Sequence, residues 1–146
     1  MRLKGRSINS GKAEGEAIVY NGPFSMKGDL DPKSGEVSVK GHPLEGKSLA
    51  GKIFVFATGR GSTVGPYIAY EAKKAGMAPV AMICQECEPI IALGAIMADI
   101  PMVDRLDKDP LATIKSGDWV KVDGDSGIVE IIRQSEEDDS LLSDSW

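Results

Sequence analysis

The chain has 146 residues and a mass of 15.5 kDa, the usual size of one domain with a single hydrophobic core. Its composition is 42% hydrophobic and 27% charged with a mean hydropathy of −0.13, which excludes disordered, collagen-like and membrane-embedded classes. The net charge of −5 arises at the C-terminus, because five of the 22 acidic residues follow Gln134 and the other 17 balance the 17 basic residues.

This charge distribution predicts a folded domain over residues 1–134 and an acidic, serine-rich tail over residues 135–146 that stays solvated. The body has no cluster of Lys and Arg, which disfavours nucleic acid as a partner. Its most apolar stretch, residues 77–100, is interrupted by charges and proline, and the first residues are polar. We therefore expect a cytoplasmic protein without a membrane span or a secretory signal.

The first half of the chain predicts short strands separated by turns. Residues 16–20 form one predicted strand, and a turn follows at residues 21–23. The alternating residues 36–39 predict a second strand, which ends at the turn that contains His42.

A βαβ unit is predicted over residues 52–83. The apolar run at residues 53–57 is typical of a strand buried on both faces, a helix follows over residues 67–76, and residues 79–83 form the next strand. The signals for the helix ends are Ser62 or Thr63 as the N-cap, Pro66 in the first turn, and Lys73, Lys74 and Gly76 at the C-terminus.

The rest of the chain continues the alternation of helices and strands, so the fold class is α/β with a β-rich N-terminal layer. The predicted elements are a helix over residues 88–97 with Pro89 in its first turn, a strand at 100–103, a helical turn at 109–114 and a hairpin of strands 119–122 and 128–132. Asp123 and Asp125 are predicted turn residues of that hairpin.

The segment Thr58-Gly-Arg-Gly-Ser-Thr63 lies between a buried strand and a helix N-terminus, where backbone N–H groups and the helix dipole can hold an anion. It matches neither a P-loop nor a dinucleotide-binding fingerprint. Arg60 could bind a carboxylate or phosphate, and the Ser62 hydroxyl would lie beside backbone donors. The alternative is that Ser62 is only a helix cap and Arg60 only a surface residue.

Cys84 and Cys87 have the C-x-x-C spacing of metal and redox sites. A structural zinc site needs four ligands, and His42 is the only further His or Cys, so no metal site is predicted. The predicted helix begins after both cysteines, which also disfavours a thioredoxin-like role. We expect two ordinary thiols and a solvated turn histidine.

Three segments of the chain form a recognisable set: Thr58-Gly-Arg-Gly-Ser-Thr-Val-Gly-Pro-Tyr67, residues 88–97 and Ile100-Pro-Met-Val-Asp104. Together they resemble the small, swivelling subunit of the aconitase X family, and the similarity covers most of residues 1–134. The resemblance implies a swivelling β/β/α domain like the small domain of aconitases.

The resemblance also implies an activity. In archaea it implies a subunit of a hydro-lyase that dehydrates mevalonate 5-phosphate to trans-anhydromevalonate 5-phosphate in isoprenoid synthesis, whereas bacterial relatives act on cis-3-hydroxyproline. By position Ser62 would be the proton acceptor, and Arg60, Gly61 and Thr63 would bind the small phosphorylated hydroxy acid. The implied 4Fe–4S cluster would be bound by a separate large subunit, in a heterodimer or larger assembly, and this chain would bind no metal.

Other functions stay open at this point. The chain could serve a dehydratase for another hydroxy acid such as cis-3-hydroxyproline, or it could be a non-catalytic, anion-binding swivelling module. Swivelling phosphohistidine domains share a similar build, but phosphoryl carriage needs an imidazole where this chain has Ser62 and Thr63.

Overall fold

The computed structural model describes residues 1–59 and 64–132. The strands in these ranges are β1 (Arg2–Lys4), β2 (Arg6–Asn9), β3 (Lys12–Phe24), β4 (Ile53–Gly59), β5 (Ala81–Cys84), β6 (Met102–Asp104), β7 (Trp119–Asp123) and β8 (Ile128–Ile132). The helices are α1 (Met26–Asp29), α2 (Gly65–Lys74), α3 (Pro89–Met97) and α4 (Pro110–Thr113).

The strands form one sheet in the order β1-β8-β7-β3-β4-β5-β6-β2. The 13-residue strand β3 joins its two parts. From Lys12 to Glu16 it pairs antiparallel with β7, and from Ala17 to Phe24 it pairs parallel with β4. Strands β4, β5 and β6 continue the parallel part, while β1, β7 and β8 form the antiparallel part.

The core divides into one hydrophobic cluster on each face of the parallel strands. Alternate residues of β4 supply both clusters, because successive side chains of a strand point to opposite faces. Phe54 and Phe56 pack with α2 and α3, whereas Ile53 and Val55 pack with the antiparallel strands. The layers are therefore antiparallel sheet, parallel sheet and helices, which confirms the predicted swivelling β/β/α architecture.

Most elements after residue 50 were predicted correctly. The predicted βαβ unit is β4, α2 and β5, and the predicted second helix is α3 with Pro89 in its first turn. Strands β7 and β8 form the predicted antiparallel hairpin, in which Asp123 Oδ1 accepts hydrogen bonds from the Asp125 and Ser126 N–H groups. In the described ranges the longest helix has ten residues, too few to span a bilayer.

Two predictions in the first half were wrong. The expected turn at residues 21–23 is instead part of β3, which tolerates Pro23 through a shift in register after Tyr20. The expected strand at residues 36–39 contributes only isolated bridges. This segment does not continue as a strand in either direction, because Gly35 and Gly41 on either side have positive φ angles of 74° and 81°.

Candidate active site

The predicted catalytic turn joins the carboxyl end of β4 to the start of α2. Its four residues, the predicted proton acceptor Ser62 and the predicted substrate-binding residues Arg60, Gly61 and Thr63, lie outside the described residues. Their roles therefore stay predictions, and the structure describes the frame on both sides of them. In parallel α/β sheets, ligands bind beside the carboxyl ends of the strands, which is where this turn begins.

Gly59, the last residue of β4, is tightly enclosed by the start of α3. A Cβ atom at this position would overlap the Glu88 carboxylate and lie 2.8 Å from Ile91 Cβ. Gly65, on the other side of the turn, is not crowded, because a Cβ atom there would be 4.0 Å from both Ile90 Cγ2 and Met26 Cβ. The strand end is thus packed directly on α3, and only a glycine permits that approach.

Glu88 caps the N-terminus of α3. Its Oε2 accepts a hydrogen bond from the Ile90 N–H at 2.9 Å, and its Oε1 accepts one from the Ile91 N–H. A carboxylate at a helix N-terminus also interacts favourably with the helix dipole. The N–H groups at the start of α3 that could bind an anion are therefore already hydrogen-bonded to Glu88. The sequence placed Glu88 at the helix start but did not predict its capping role.

The N-terminus of α2 is different. Its N-cap position is Val64, so the cap lies one or two residues later than the predicted Ser62 or Thr63, and the Val64 side chain makes no capping hydrogen bond. Pro66 is in the first turn, as predicted. Because the Val64 side chain cannot accept a hydrogen bond, the positive end of α2 is not neutralised by its own N-cap residue.

A narrow crevice of about 10 Å³, with room for no more than a single water molecule, adjoins the first turns of both helices. Its lining residues are Ser25, Met26, Gly65, Glu88, Ile90, Ile91 and Gly94. A wider groove that includes Lys52 and Ser116 lies near the start of β4, away from the carboxyl ends of the parallel strands. Position relative to the sheet therefore favours the carboxyl end of β4 over this groove as a ligand site, and the crevice itself is too small to hold a substrate.

The comparisons with known proteins agree with this geometry. A family model described as the aconitase X swivel domain matches residues 2–131. The chain belongs to the aconitase X swivel-domain family. The resemblance drawn from the turn and the two later segments is thereby confirmed.

Two curated relatives and one solved structure show how close the similarity is. The phosphomevalonate dehydratase small subunit of Methanosarcina acetivorans is 50% identical over 91% of this chain and 92% of its own length. That of Thermococcus kodakarensis is 51% identical over 93% of this chain and 100% of its own length. The crystal structure of Thermococcus kodakaraensis aconitase X in its holo-form superimposes with a TM-score of 0.86 at 50% identity, over 91% of this chain and 99% of the matched one.

Asp104 supports the frame of the site in this swivel domain. Its carboxylate is fully buried and accepts hydrogen bonds from Arg6 Nε at 2.9 Å, from Arg6 Nη2 at 2.8 Å and from the Cys87 N–H at 2.9 Å. The pair with Asp104 raises the pKa of Arg6 above its ordinary value. Asp104 thus holds the backbone of Cys87, the residue directly before Glu88. The only sequence signal for this role is a carboxylate directly after the apolar segment 100–103.

The two cysteines are protonated thiols. The Cys84 side chain is fully buried, and its Sγ donates to the carbonyl oxygens of Ala57 and Glu86. Burial, with a smaller contribution from the nearby Cys87, raises the pKa of Cys84 far above its ordinary value. Burial and the nearby Asp104 carboxylate raise the pKa of Cys87 to about 12. Neither thiol is suited to nucleophilic chemistry at neutral pH.

The same observations test whether this family member could itself hold an iron–sulfur cluster. Cluster ligands are thiolates, usually four of them. The sequence contains two cysteines, Cys84 and Cys87, and the described residues contain no group of three or more His, Cys, Asp and Glu side chains that could hold a metal ion. The residues present do not fit a cluster.

His42 differs from its prediction as a solvated turn residue. It is half-buried, with its ring centroid 4.3 Å from that of Tyr20, and its Nδ1 accepts a hydrogen bond from the Leu44 N–H. Its Nε2 is buried without a hydrogen-bond partner. Packing against Tyr20 and Phe24 explains the burial. His42 contributes to the core and not to the frame of the catalytic turn.

Proposed function

We propose that this chain is the small subunit of a phosphomevalonate dehydratase, a hydro-lyase of the archaeal mevalonate pathway. The proposed reaction converts mevalonate 5-phosphate to trans-anhydromevalonate 5-phosphate. The observation that carries the proposal is the identity of about 50%, over nine tenths or more of both chains, with small subunits of that name from Methanosarcina and Thermococcus. A large-subunit partner follows from the same similarity, and we propose the cytoplasm as the site of assembly.

The chemistry that this chain must supply is proton removal. Mevalonate 5-phosphate has a carboxylate at one end, a phosphate at the other and a hydroxyl on the carbon β to the carboxylate. Dehydration breaks a C–H bond on the α carbon and the C–O bond on the β carbon, and the proton and hydroxide together make one water. In the proposed mechanism Ser62, as an alkoxide, accepts the α proton.

A serine can accept that proton only if its alkoxide is stabilised. The proposed sources are the positive N-terminus of α2, whose N-cap Val64 offers no side-chain acceptor, and the guanidinium of Arg60. Glu88 already accepts hydrogen bonds from two N–H groups of α3, so of the two helix N-termini we assign the alkoxide to that of α2.

The same charge distribution supports a substrate site on the turn. We propose that Arg60, with Gly61 and Thr63, binds an anionic group of the substrate. The planar guanidinium of Arg60 can form two parallel hydrogen bonds with a carboxylate or a phosphate, which a lysine ammonium cannot do. We assign the 4Fe–4S cluster to the large subunit, because this chain has two cysteines, Cys84 and Cys87, and a cluster usually needs four thiolate ligands.

The proposal is tested by substitutions at the turn in the complex reconstituted with the large subunit. Ser62→Ala should reduce turnover of mevalonate 5-phosphate by roughly 10²-fold or more, which is the usual loss for a removed catalytic base. Thr63→Ala is the matched control for turnover: it removes a neighbouring hydroxyl that is assigned to substrate binding and not to proton transfer, so it should raise the KM and leave kcat close to wild type. Arg60→Lys should mainly raise the KM.

Two results would contradict the proposal. If Ser62→Ala keeps more than about a tenth of wild-type turnover, the serine is not the proton acceptor. If the wild-type complex dehydrates cis-3-hydroxyproline and not mevalonate 5-phosphate, the substrate assignment is wrong while the hydro-lyase assignment stands.

A further inference from the structure

The outward-facing sides of α2 and α3 carry large exposed hydrophobic residues. Tyr67 is 64% exposed and Tyr70 is 50% exposed on α2, and Leu93 is 46% and Ile96 is 54% exposed on α3. Elsewhere among the described residues, the large hydrophobic side chains with comparable exposure are Met1, Val64 and Trp119, and Val64 is the N-cap of α2. We call Tyr67, Tyr70, Leu93 and Ile96 the α2–α3 face.

The sequence of α3 explains why its outer side is unusual. The nine residues from Pro89 to Met97 include no polar side chain. Ile91, Gly94 and Ala95 are buried, while Leu93 and Ile96 point outwards. A helix that packs one side on a core normally has charged or polar residues on the other side, and a helix that is apolar all round is normally covered. The outer side of α3 therefore needs a covering partner.

The two helices present one continuous surface. A Cβ atom at Gly94 would lie 3.6 Å from both Pro66 Cα and Ala69 Cβ, so α2 and α3 pack closely without a large side chain between them. Helical periodicity places Leu93 and Tyr70 on the outer borders of this contact. Patches of clustered apolar residues on a surface mark interaction sites more often than isolated ones do.

We propose that the α2–α3 face is the surface on which the large subunit docks, through a complementary apolar patch. This inference rests on the proposed function. Its position supports it: α2 starts at Gly65, directly after the catalytic turn, and α3 starts beside Gly59, directly before it. A subunit seated on this face would adjoin the turn, as a site shared between two chains requires. Tyr67 and Tyr70 are of the residue type enriched at the energetic centre of interfaces.

The C-terminal segment of this chain is a weaker candidate for covering the face. Residues 135–146 offer Leu141, Leu142 and Trp146, but they also carry five carboxylates. α3 has no basic residue to receive those charges, and α2 has two, Lys73 and Lys74, of which Lys73 donates to the Asp99 carbonyl oxygen. A stable interface also buries about 800 Å² on each partner, more than three apolar side chains of a short acidic segment supply.

The test measures binding of the full-length chain to its large subunit. Leu93→Lys and Ile96→Lys are combined in one variant, and Trp119→Lys is the matched control, because Trp119 is 45% exposed but lies on β7. We expect the double variant to bind at least about 30-fold more weakly, the loss expected for one hot-spot residue. The control should bind within threefold of wild type, and the melting temperatures of both free chains should stay close to wild type.

Activity separates this proposal from the proposed function. With the double variant at saturating concentration, turnover should approach the wild-type value, because the face is not assigned any contact with substrate. Unchanged binding of a folded double variant would overturn the docking proposal, even if Ser62→Ala still abolishes turnover. A wild-type complex that assembles through this face but does not dehydrate mevalonate 5-phosphate would overturn the function and leave the docking surface intact.

Two further measurements test the two other candidates for covering the α2–α3 face, the C-terminal segment and a second copy of this chain. Deletion of residues 135–146 should leave the affinity for the large subunit and the melting temperature of the free chain unchanged, and a clear fall in that melting temperature would assign the face to the tail. Sedimentation of the free chain should give a monomer. A dimer that the double variant abolishes would assign the face to a second copy of this chain.

Discussion

The contact between Gly59 and α3 makes the frame of the predicted catalytic turn sensitive to a single methyl group. In Gly59→Ala the added Cβ would overlap the Glu88 carboxylate and approach Ile91 Cβ to 2.8 Å, both far inside van der Waals contact. The strand end and the start of α3 must therefore move apart, and Glu88 must leave its capping position. Overpacking costs about 1–3 kcal/mol and a lost helix cap about 1 kcal/mol, so we expect a destabilisation of about 2–4 kcal/mol.

Gly65→Ala is the matched control on the other side of the turn. Apart from its two chain neighbours, the added Cβ would have no atom closer than 4.0 Å. The preference of a helix for alanine over glycine, roughly 0.5–1 kcal/mol, is opposed by Pro66, whose ring disfavours helical backbone angles in a preceding residue that has a Cβ, so we expect little net change in stability. Thermal unfolding of both variants tests the reasoning. At roughly 3 °C per kcal/mol for a domain of this size, Gly59→Ala should melt about 6–12 °C lower than wild type and Gly65→Ala close to wild type.

Turnover gives a second measurement of the same effect. A displacement of about 1 Å at a catalytic group can cost roughly 10²-fold, so Gly59→Ala should lose activity in the assembled complex even at temperatures where it is folded. A Gly59→Ala chain that melts within about 2 °C of wild type would refute the packing argument, because the overlap predicts a shift well above that value. Equal damage by Gly65→Ala would refute the assignment of the constraint to α3.

Two further predictions concern the buried groups behind the site. Asp104→Ala should lower the melting temperature much more than Glu86→Ala, because Asp104 is fully buried with three donors whereas the Glu86 pair with Arg105 is exposed; equal shifts by calorimetry would contradict this. Folding raises the pKa of Cys87 from 9.0 to about 12 and raises that of Cys84 as well, so the folded chain keeps protons that the unfolded chain releases. The contribution of these two thiols to the free energy of unfolding is fully present below about pH 9, and it should decline between pH 9 and pH 12 when measured by urea titration. The double variant with Cys84→Ser and Cys87→Ser should show a flatter decline.

The sequence predicted the parallel strands and their helices because their signals are local. The apolar run at residues 53–57 and the end signals of α2 and α3 each lie within one element, and their types are correct. The edge strands β1 and β2 were not predicted, since each is three or four residues long and its partner is about 100 to 130 residues away. Such pairing depends on the tertiary fold, and no local pattern encodes it.

The difference between local and long-range signals applies to the candidate site as well. The position of the turn after a buried strand was predictable, and so was the start of α3 near Glu88. The close contact between Gly59 and α3 and the ion pair between Asp104 and Arg6 were not predictable, because each joins residues that are distant in sequence. The apolar outer side of α3 is evident from the sequence alone, since residues 89–97 have no polar side chain to place in water.

The first nine residues of the chain close both edges of the sheet. Strand β1 pairs with β8 at one edge, and β2, after a single intervening residue, pairs with β6 at the other. Neither edge can be completed until its distant partner has been synthesised, and the partner of β1 ends at Ile132. The N-terminus must therefore wait for nearly the whole chain, which makes edge closure a late, long-range step of folding. An incomplete chain would expose unpaired strand edges, the features through which nascent sheets aggregate.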